Sequence, residues 1–339
     1  MNNLALLGAP SAIGIRPYDR GGVRRLDLAP GALREYGLAS RLRARDLGDV
    51  TPPPRYRDHQ RPAGRCRNEE DVAAYSRKLA EPIARAVIGE QFTVLLGGDC
   101  SILLGALLGL RNAGAAPVGL VYVDAHADFA TLEESPSHSA CSMNLALAVG
   151  RADRPLAHLA GNAALVDGAH VVHIGRRDDA QPAYGHLALA QFGVLDLPQA
   201  AIQSRDIASI AGQALERVAS IGAGFWIHFD ADVLDPDLMP AVDSPLPGGL
   251  DFTQAAGLLG ALARHPAALG LQLAIYDPTL DPGRSGAVQL ADMLEQALVA
   301  PGPAVPSRRC WPGPRSAAVT TRGRPARRLS RQGSQSDEP

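Results

Sequence analysis

Three short stretches of this chain carry metal-competent side chains at spacings that would bring them together. The first is Asp124-Ala125-His126-Ala127-Asp128. It follows the apolar run 118–123, rich in β-branched residues and bounded by Pro117, which reads as a buried strand. Side chains alternate along an extended backbone, so Asp124, His126 and Asp128 leave on one side. In open α/β sheets such a strand end is where ligands bind. A second stretch repeats the logic: the strand-like run 225–229 leads into Asp230-Ala231-Asp232 and then Asp235-Pro236. Two strands delivering carboxylates to one dry pocket repel each other unless a counter-charge is present. A pair of divalent cations is the simplest one, and mixed carboxylate and imidazole donors favour Mn or Zn. The third stretch is an apolar run, 93–96, ending at Gly97-Gly98-Asp99-Cys100-Ser101. Its glycines permit a tight turn into the apolar, helix-like 102–110, which Asp99 or Ser101 is placed to cap. Cys100 either joins the acidic clusters or is a buried structural thiol, and spacing does not choose between them.

These residues need a scaffold, and the rest of the chain supplies one. Strand-like stretches at 4–7, 92–96, 118–123, 169–174, 225–230 and 268–276 alternate with helix-like stretches at 69–88, 102–110, 204–219, 252–264 and 284–299. The first of these helices has Asn68 as a candidate cap and Val72, Tyr75, Leu79, Ile83 and Val87 at helical spacing. A βαβα order implies a mostly parallel sheet with helices on both faces, a three-layer α/β/α architecture. All the candidate ligands then fall at strand C-terminal ends.

Composition narrows the function classes. The 339 residues carry a formal net charge of −2, which argues against nucleic acid as the main partner. No apolar run approaches the roughly 20 residues of a membrane span, and no signal-peptide pattern opens the chain. The four cysteines, Cys66, Cys100, Cys141 and Cys310, show no paired short spacing, as expected of a reducing, cytoplasmic compartment. The stretch 301–339 is rich in Pro, Arg, Ser and Gly, is basic and lacks apolar periodicity. It is expected to be a disordered tail to a catalytic domain spanning 1–300.

In this order, Gly97-Gly98-Asp99-Cys100-Ser101, Asp124-Ala125-His126-Ala127-Asp128 and His228-Phe229-Asp230-Ala231-Asp232-Val233-Leu234-Asp235-Pro236 resemble the three marker segments of the arginase–agmatinase (ureohydrolase) family. Gly8-Ala9-Pro10-Ser11, Ile174-Gly175-Arg176-Arg177-Asp178 and the late loop Tyr276-Asp277-Pro278 extend the resemblance over about residues 3 to 299. It implies an arginase-like fold, a homo-oligomer (trimer or hexamer) and two Mn2+ per chain. Asp124 and Asp230 would bridge the metals and serve catalysis; Cys100 and Asp128 would complete one shell, His126 and Asp232 the other. It further implies hydrolysis of a carbon–nitrogen bond in a small guanidino or amidine compound by a metal-bridging hydroxide, releasing urea.

The departures from the family pattern concern metal choice and substrate. Cys100 replaces the usual His, which makes Zn or another divalent metal the alternative to Mn. Cys141 falls where the family has its proton-shuttling His, and the nearby His138 is the candidate substitute. The Glu that grips the guanidinium is replaced by Ile275 or Ala274. Ser137, Cys141, Ser244 and Asp277 are the candidate substrate-side residues, and Asp235 is expected to orient a neighbouring group. Metal positions are kept while substrate positions change, so the expected substrate is a guanidino compound other than L-arginine. The alternative is a non-catalytic, metal-bound relative that binds a metabolite or partner subunit.

Overall fold

The computed structural model describes residues 3–19, 21–152, 155–161 and 163–299. The expected tail at 301–339 lies outside the described residues. Eight strands form an all-parallel sheet: β1 (Leu4–Ala9), β2 (Arg45–Asp49), β3 (Phe92–Gly97), β4 (Gly119–Val123), β5 (Val171–Ile174), β6 (Leu195–Leu197), β7 (Phe225–Asp230) and β8 (Ala268–Ala274). Their order is β2-β1-β3-β8-β7-β4-β5-β6. Helices Glu69–Ile88 and Ile102–Asn112 contribute to one apolar layer. Helices Ala29–Glu35, Ile207–Val218, Phe252–Ala263 and Ser285–Leu298 contribute to the other. The expected three-layer α/β/α architecture is the observed one.

The six strands anticipated from apolar runs are present, and the two that were not are the sheet's edges. β2 reads Arg-Asp-Leu-Gly-Asp and is largely exposed, and β6 has only three residues. Edge strands are half solvated and carry no continuous apolar run. The expected helix at 204–219 begins only at Ile207, because Asp206 caps it by accepting from the Ser209 N–H at 2.8 Å, and Gln199–Gln203 forms a separate turn. Asn68 does not cap its helix. It sits at φ +48°, its Oδ1 accepts from the Arg57 and Asp58 N–H groups, and its Nδ2 donates to the Ile13 carbonyl. Nor do Asp99 and Ser101 cap the next helix with side-chain bonds. Asp99 instead accepts from Ser11 Oγ at 2.7 Å and Gly14 N at 3.1 Å, tying the loop after β1 to the turn after β3. That turn needs both glycines: a Cβ at Gly97 would stand 2.5 Å from the Leu273 carbonyl, and one at Gly98 2.5 Å from that of Ser11.

The chain leaves β3 and re-enters the sheet at β4, with β8 and β7 inserted between them. Residues at or just past the ends of these four neighbours, Cys100, Asp124, Asp230 and Ile275, line one cleft, the position where parallel sheets bind ligands.

Candidate metal centre

Asp124 and Asp230 are built alike. Each lies at the end of its strand, and each Oδ1 accepts from the backbone N–H two residues on: His126 N at 2.7 Å and Asp232 N at 2.8 Å. These Asx turns fix both carboxylates and turn the Oδ2 atoms to other business. Asp230 Oδ2 receives the Cys100 thiol at 2.9 Å. Asp124 Oδ2 is buried with no hydrogen-bond partner. His126 Nδ1 lies 2.9 Å from Asp232 Oδ2 and 3.8 Å from Asp124 Oδ1. Two groups of potential ligand atoms result, each within 4.8 Å: Cys100, Asp124, His228 and Asp230, and Asp124, His126 and Asp232. Asp124 is common to both. Asp128 lines the same cleft, its Oδ2 accepting the Tyr122 hydroxyl at 2.8 Å.

The surrounding turns are held from behind. Arg177 donates to the carbonyls of Asp232, Val233, Leu234 and Leu246. Asp178 accepts from Ala127 N at 2.9 Å and pairs with Arg176 at 3.0 Å.

Burial is the first influence on every charge in this centre. It drives the Asp128, Asp230 and Asp232 carboxyls above their ordinary value, and the Asp124 charge pushes the same way. Asp124 also pays for burial, yet His126 and His228 hold it below the usual range. His126 is raised because Asp232 and Asp124 outweigh its own desolvation. Burial and the neighbouring Cys141 thiol raise Cys100. Four carboxylates, one of them with an orphaned oxygen, around a thiol and an imidazole form a donor set suited to divalent cations.

A stability consequence follows for the metal-free protein. Asp128, Asp230, Asp232 and His126 keep protons in the folded chain that the unfolded chain releases at lower pH. Asp124 and His228 are shifted down and oppose them, as do Asp46, Asp58, Glu134 and Asp277 elsewhere, whose lowered carboxyls are ionised in both states once pH exceeds about 5. Above about pH 5, beyond the ordinary carboxylate range, the raised groups outnumber His228, the native state binds more protons, and stability falls as pH rises. Thermal melting in chelator should show Tm dropping by roughly 3 °C or more between about pH 5 and 8, and saturating Mn2+ or Zn2+ should remove that slope. A flat profile in chelator would count against a repelling buried cluster.

The other sequence candidates divide. Ser137, Cys141 and Ser244 line the cleft, which measures about 440 Å³ including its open mouth. His138 does not line it. Its Nδ1 meets the Pro62 carbonyl at 2.7 Å and its Nε2 meets Arg61 at 2.6 Å, so both ring nitrogens clamp the 57–67 segment and neither is free to shuttle a proton. Asp277 is likewise committed, accepting from Tyr18 Oη at 2.7 Å, Arg25 N at 3.0 Å and Thr279 Oγ1 at 2.6 Å. Asp235 accepts from Asp237 N at 3.0 Å and shapes its own turn. Of the two residues offered for the missing Glu, Ile275 is the one in the cleft wall, buried at φ +68°, a conformation a β-branched residue seldom takes. Arg16, Tyr184 and Asp243 line the cleft without having been singled out, because they come from loops whose folding no periodicity reveals. His228 and Tyr122 did carry a signal: each stands two residues before an Asp on the same strand face.

The arginase family model matches residues 2–300, and the chain belongs to that family. Its class is therefore that of arginase- and agmatinase-like amidinohydrolases. The arginase of Bacillus caldovelox is 29% identical over 279 residues, covering 80% of this chain and 91% of that one. Its native structure superposes with a TM-score of 0.79 at 26% identity over 89% and 99% of the two chains. The proclavaminate amidino hydrolase of Streptomyces clavuligerus, at 18% identity, shares the fold, with a TM-score of 0.65 over 88% and 91%.

Proposed function

We propose that this protein hydrolyses a carbon–nitrogen bond in a small guanidino or amidine compound, releasing urea from a guanidine, with two divalent metals per chain. The observation that carries the reading is the pair of ligand groups joined through Asp124. The orphaned Asp124 Oδ2 fits a bridging role. Asp124, Asp230 and Cys100 would hold one metal with Asp128 beside it, and Asp124, His126, Asp232 and Asp230 the other. Mn2+ is the family's metal, and the Cys100 thiol admits Zn2+. When bound, such metals supply an acidified water and stabilise negative charge on the reacting carbon's substituents.

The chain's own residues account for the rest. The Tyr122 hydroxyl engages Asp128 Oδ2 and leaves Oδ1 to take or give a proton in the cleft. Ser137 and Ser244 offer hydroxyls to the substrate, and the Cys141 thiol stands beside Cys100. Ile275 offers no hydrogen bond where arginases grip the guanidinium, which favours a substrate other than L-arginine. The reading includes a cytoplasmic location and a homo-oligomer, trimer or hexamer. Among the described residues, no helix is long and apolar enough to cross a membrane.

The test is a panel of guanidino and amidine compounds offered to Mn2+- and Zn2+-loaded protein, with urea and amide products measured. Turnover of one panel member above L-arginine is expected. Bound metal with no product from any member would favour the non-catalytic alternative. Truncation after residue 300 should leave metal content and turnover unchanged, as read by elemental analysis and product release; a large loss of either would make the tail part of the domain.

A further inference from the structure

A row of polar side chains crosses the sheet beneath the metal centre, one from each of five neighbouring strands. In register, Asp196 of β6 pairs with His173 of β5, His173 with Tyr122 of β4, Tyr122 with His228 of β7, and His228 with Gln272 of β8. Residues paired in register share one face of a sheet. His173, Tyr122, His228 and Gln272 are completely buried, where apolar side chains are the norm. The row reaches the centre through two hydrogen bonds and one longer approach between two atoms that have no other hydrogen-bond partner, His228 Nε2 and Asp124 Oδ2. His173 Nε2 donates to the His126 carbonyl at 2.8 Å, the Tyr122 hydroxyl donates to Asp128 Oδ2 at 2.8 Å, and His228 Nε2 lies 3.6 Å from Asp124 Oδ2. The Tyr122 ring stacks on His228, with centroids 4.3 Å apart.

The direction of hydrogen bonding at His228 is set from the far end. The Trp226 indole can only donate, and it donates to Gln272 Oε1 at 3.0 Å. That fixes the amide: Gln272 Nε2 faces His228 Nδ1 at 2.7 Å. An amide NH2 also only donates, so Nδ1 accepts and carries no proton. Neutral imidazole must then hold its proton on Nε2, the atom facing Asp124. A protonated ring nitrogen has no lone pair for a metal. Turning His228 into a ligand would require the opposite tautomer, a reversed Gln272 and an unpaired buried indole N–H, which is costly.

We propose that His228 is a positioning residue: the Trp226–Gln272 relay holds it as the Nε2–H tautomer, so that this N–H faces Asp124 Oδ2 at 3.6 Å as the donor poised to close on the shared carboxylate, and His228 is not itself a metal ligand. The inference rests on the metal-centre reading above. It leaves Cys100 and the carboxylates as the donors of that metal, although a ring nitrogen of His228 lies within 4.8 Å of the Cys100, Asp124 and Asp230 ligand atoms.

Zn2+ affinity, measured by competition with a chelating dye, separates the two roles in His228→Leu and His228→Gln. A Gln side chain keeps an N–H donor near the Nε2 position, whereas its amide nitrogen does not replace an imidazole ligand. His228→Leu should bind Zn2+ roughly tenfold or more weakly, the usual effect of losing an outer partner, while His228→Gln stays close to the parent. Equal loss in both variants would make the imidazole a ligand and overturn the proposal. So would no loss in either. The second readout is 15N NMR of histidine-labelled protein, metal-free and loaded with 113Cd2+, with His228 identified by its absence from the Gln variant. The proton should sit on Nε2 in both forms. A proton on Nδ1, or coupling between Nε2 and cadmium, would overturn the proposal. A parent that binds no metal would sink the metal-centre reading instead, and the metal-free spectrum would still decide the tautomer.

Discussion

Asp230→Ala should reduce the bound metal from two per chain to one or none and lower turnover by at least about 10³-fold, some 4 kcal/mol of barrier. The carboxylate serves both halves of the centre: Oδ2 meets Cys100 Sγ at 2.9 Å, and Oδ1 holds the turn that places Asp232. Alanine removes both. Asp230→Asn keeps an oxygen for the Asp232 N–H and loses only the charge, so it separates the turn from the ligand. It too should lose metal. Without metal, however, the Asn variant should melt no lower than the parent, because it removes one of four mutually repelling buried carboxylates. The stabilisation that Mn2+ or Zn2+ gives the parent should be absent from both variants. Elemental analysis and melting curves with and without metal check these outcomes. A variant that retains two metals would exclude Asp230 from the centre.

The second large effect concerns Cys100. Its thiol is buried, and burial first, then the neighbouring Cys141, keeps it protonated in the metal-free chain. Binding a metal as thiolate must therefore expel that proton, and affinity on this side should rise with pH. Cys100→Ala should weaken Zn2+ binding by more than the roughly 10–100-fold typical of losing an outer partner. Cys100→His should restore binding and shift preference from Zn2+ toward Mn2+, since imidazole is a harder donor than thiolate. Calorimetry in buffers of differing ionisation enthalpy reads the proton release, and metal competition reads the preference. If Cys100→Ala binds both metals like the parent, Cys100 is a structural thiol and the centre is made of carboxylates and His126 alone.

Much of this architecture was legible because buried parallel strands write themselves as apolar runs, and period-two alternation puts Asp124, His126 and Asp128 on one side. The edge strands were not legible, since β2 and β6 are short and half solvated. Side-chain commitments were the harder matter. His138 and Asp277 had the right chemistry and the right neighbourhood, but segments 57–67 and the loop around Tyr18 consume their hydrogen-bonding atoms, and nothing local announces such long-range partners. Asn68 failed as a cap for the same reason. The polar row through Tyr122, His228 and Gln272 is a property of strand register between segments far apart in the chain, 44 residues for His228 and Gln272. Tyr122 and His228 each stand two residues before an Asp, but His173 and Gln272, met alone, look like isolated polar residues in apolar strands.

The carboxylates of the candidate metal centre and Ile275, in a strained backbone conformation, line the same cleft. Strain of this kind costs on the order of 1–3 kcal/mol and persists where the surroundings impose it. Here the Ile275 N–H is tied to the Gly98 carbonyl at 2.9 Å, which locks the wall to the turn carrying Cys100. The candidate metal centre and the cleft wall at Ile275 are thus tied together through the turn after β3.

The most direct test of the central claim is metal content per chain after purification and exposure to Mn2+ or Zn2+, by elemental analysis. The account predicts two metals per chain, as a two-metal hydrolase requires, with both lost in chelator. One metal or none would contradict it, and would mean that Cys100 and the altered cleft no longer support a shared site around Asp124.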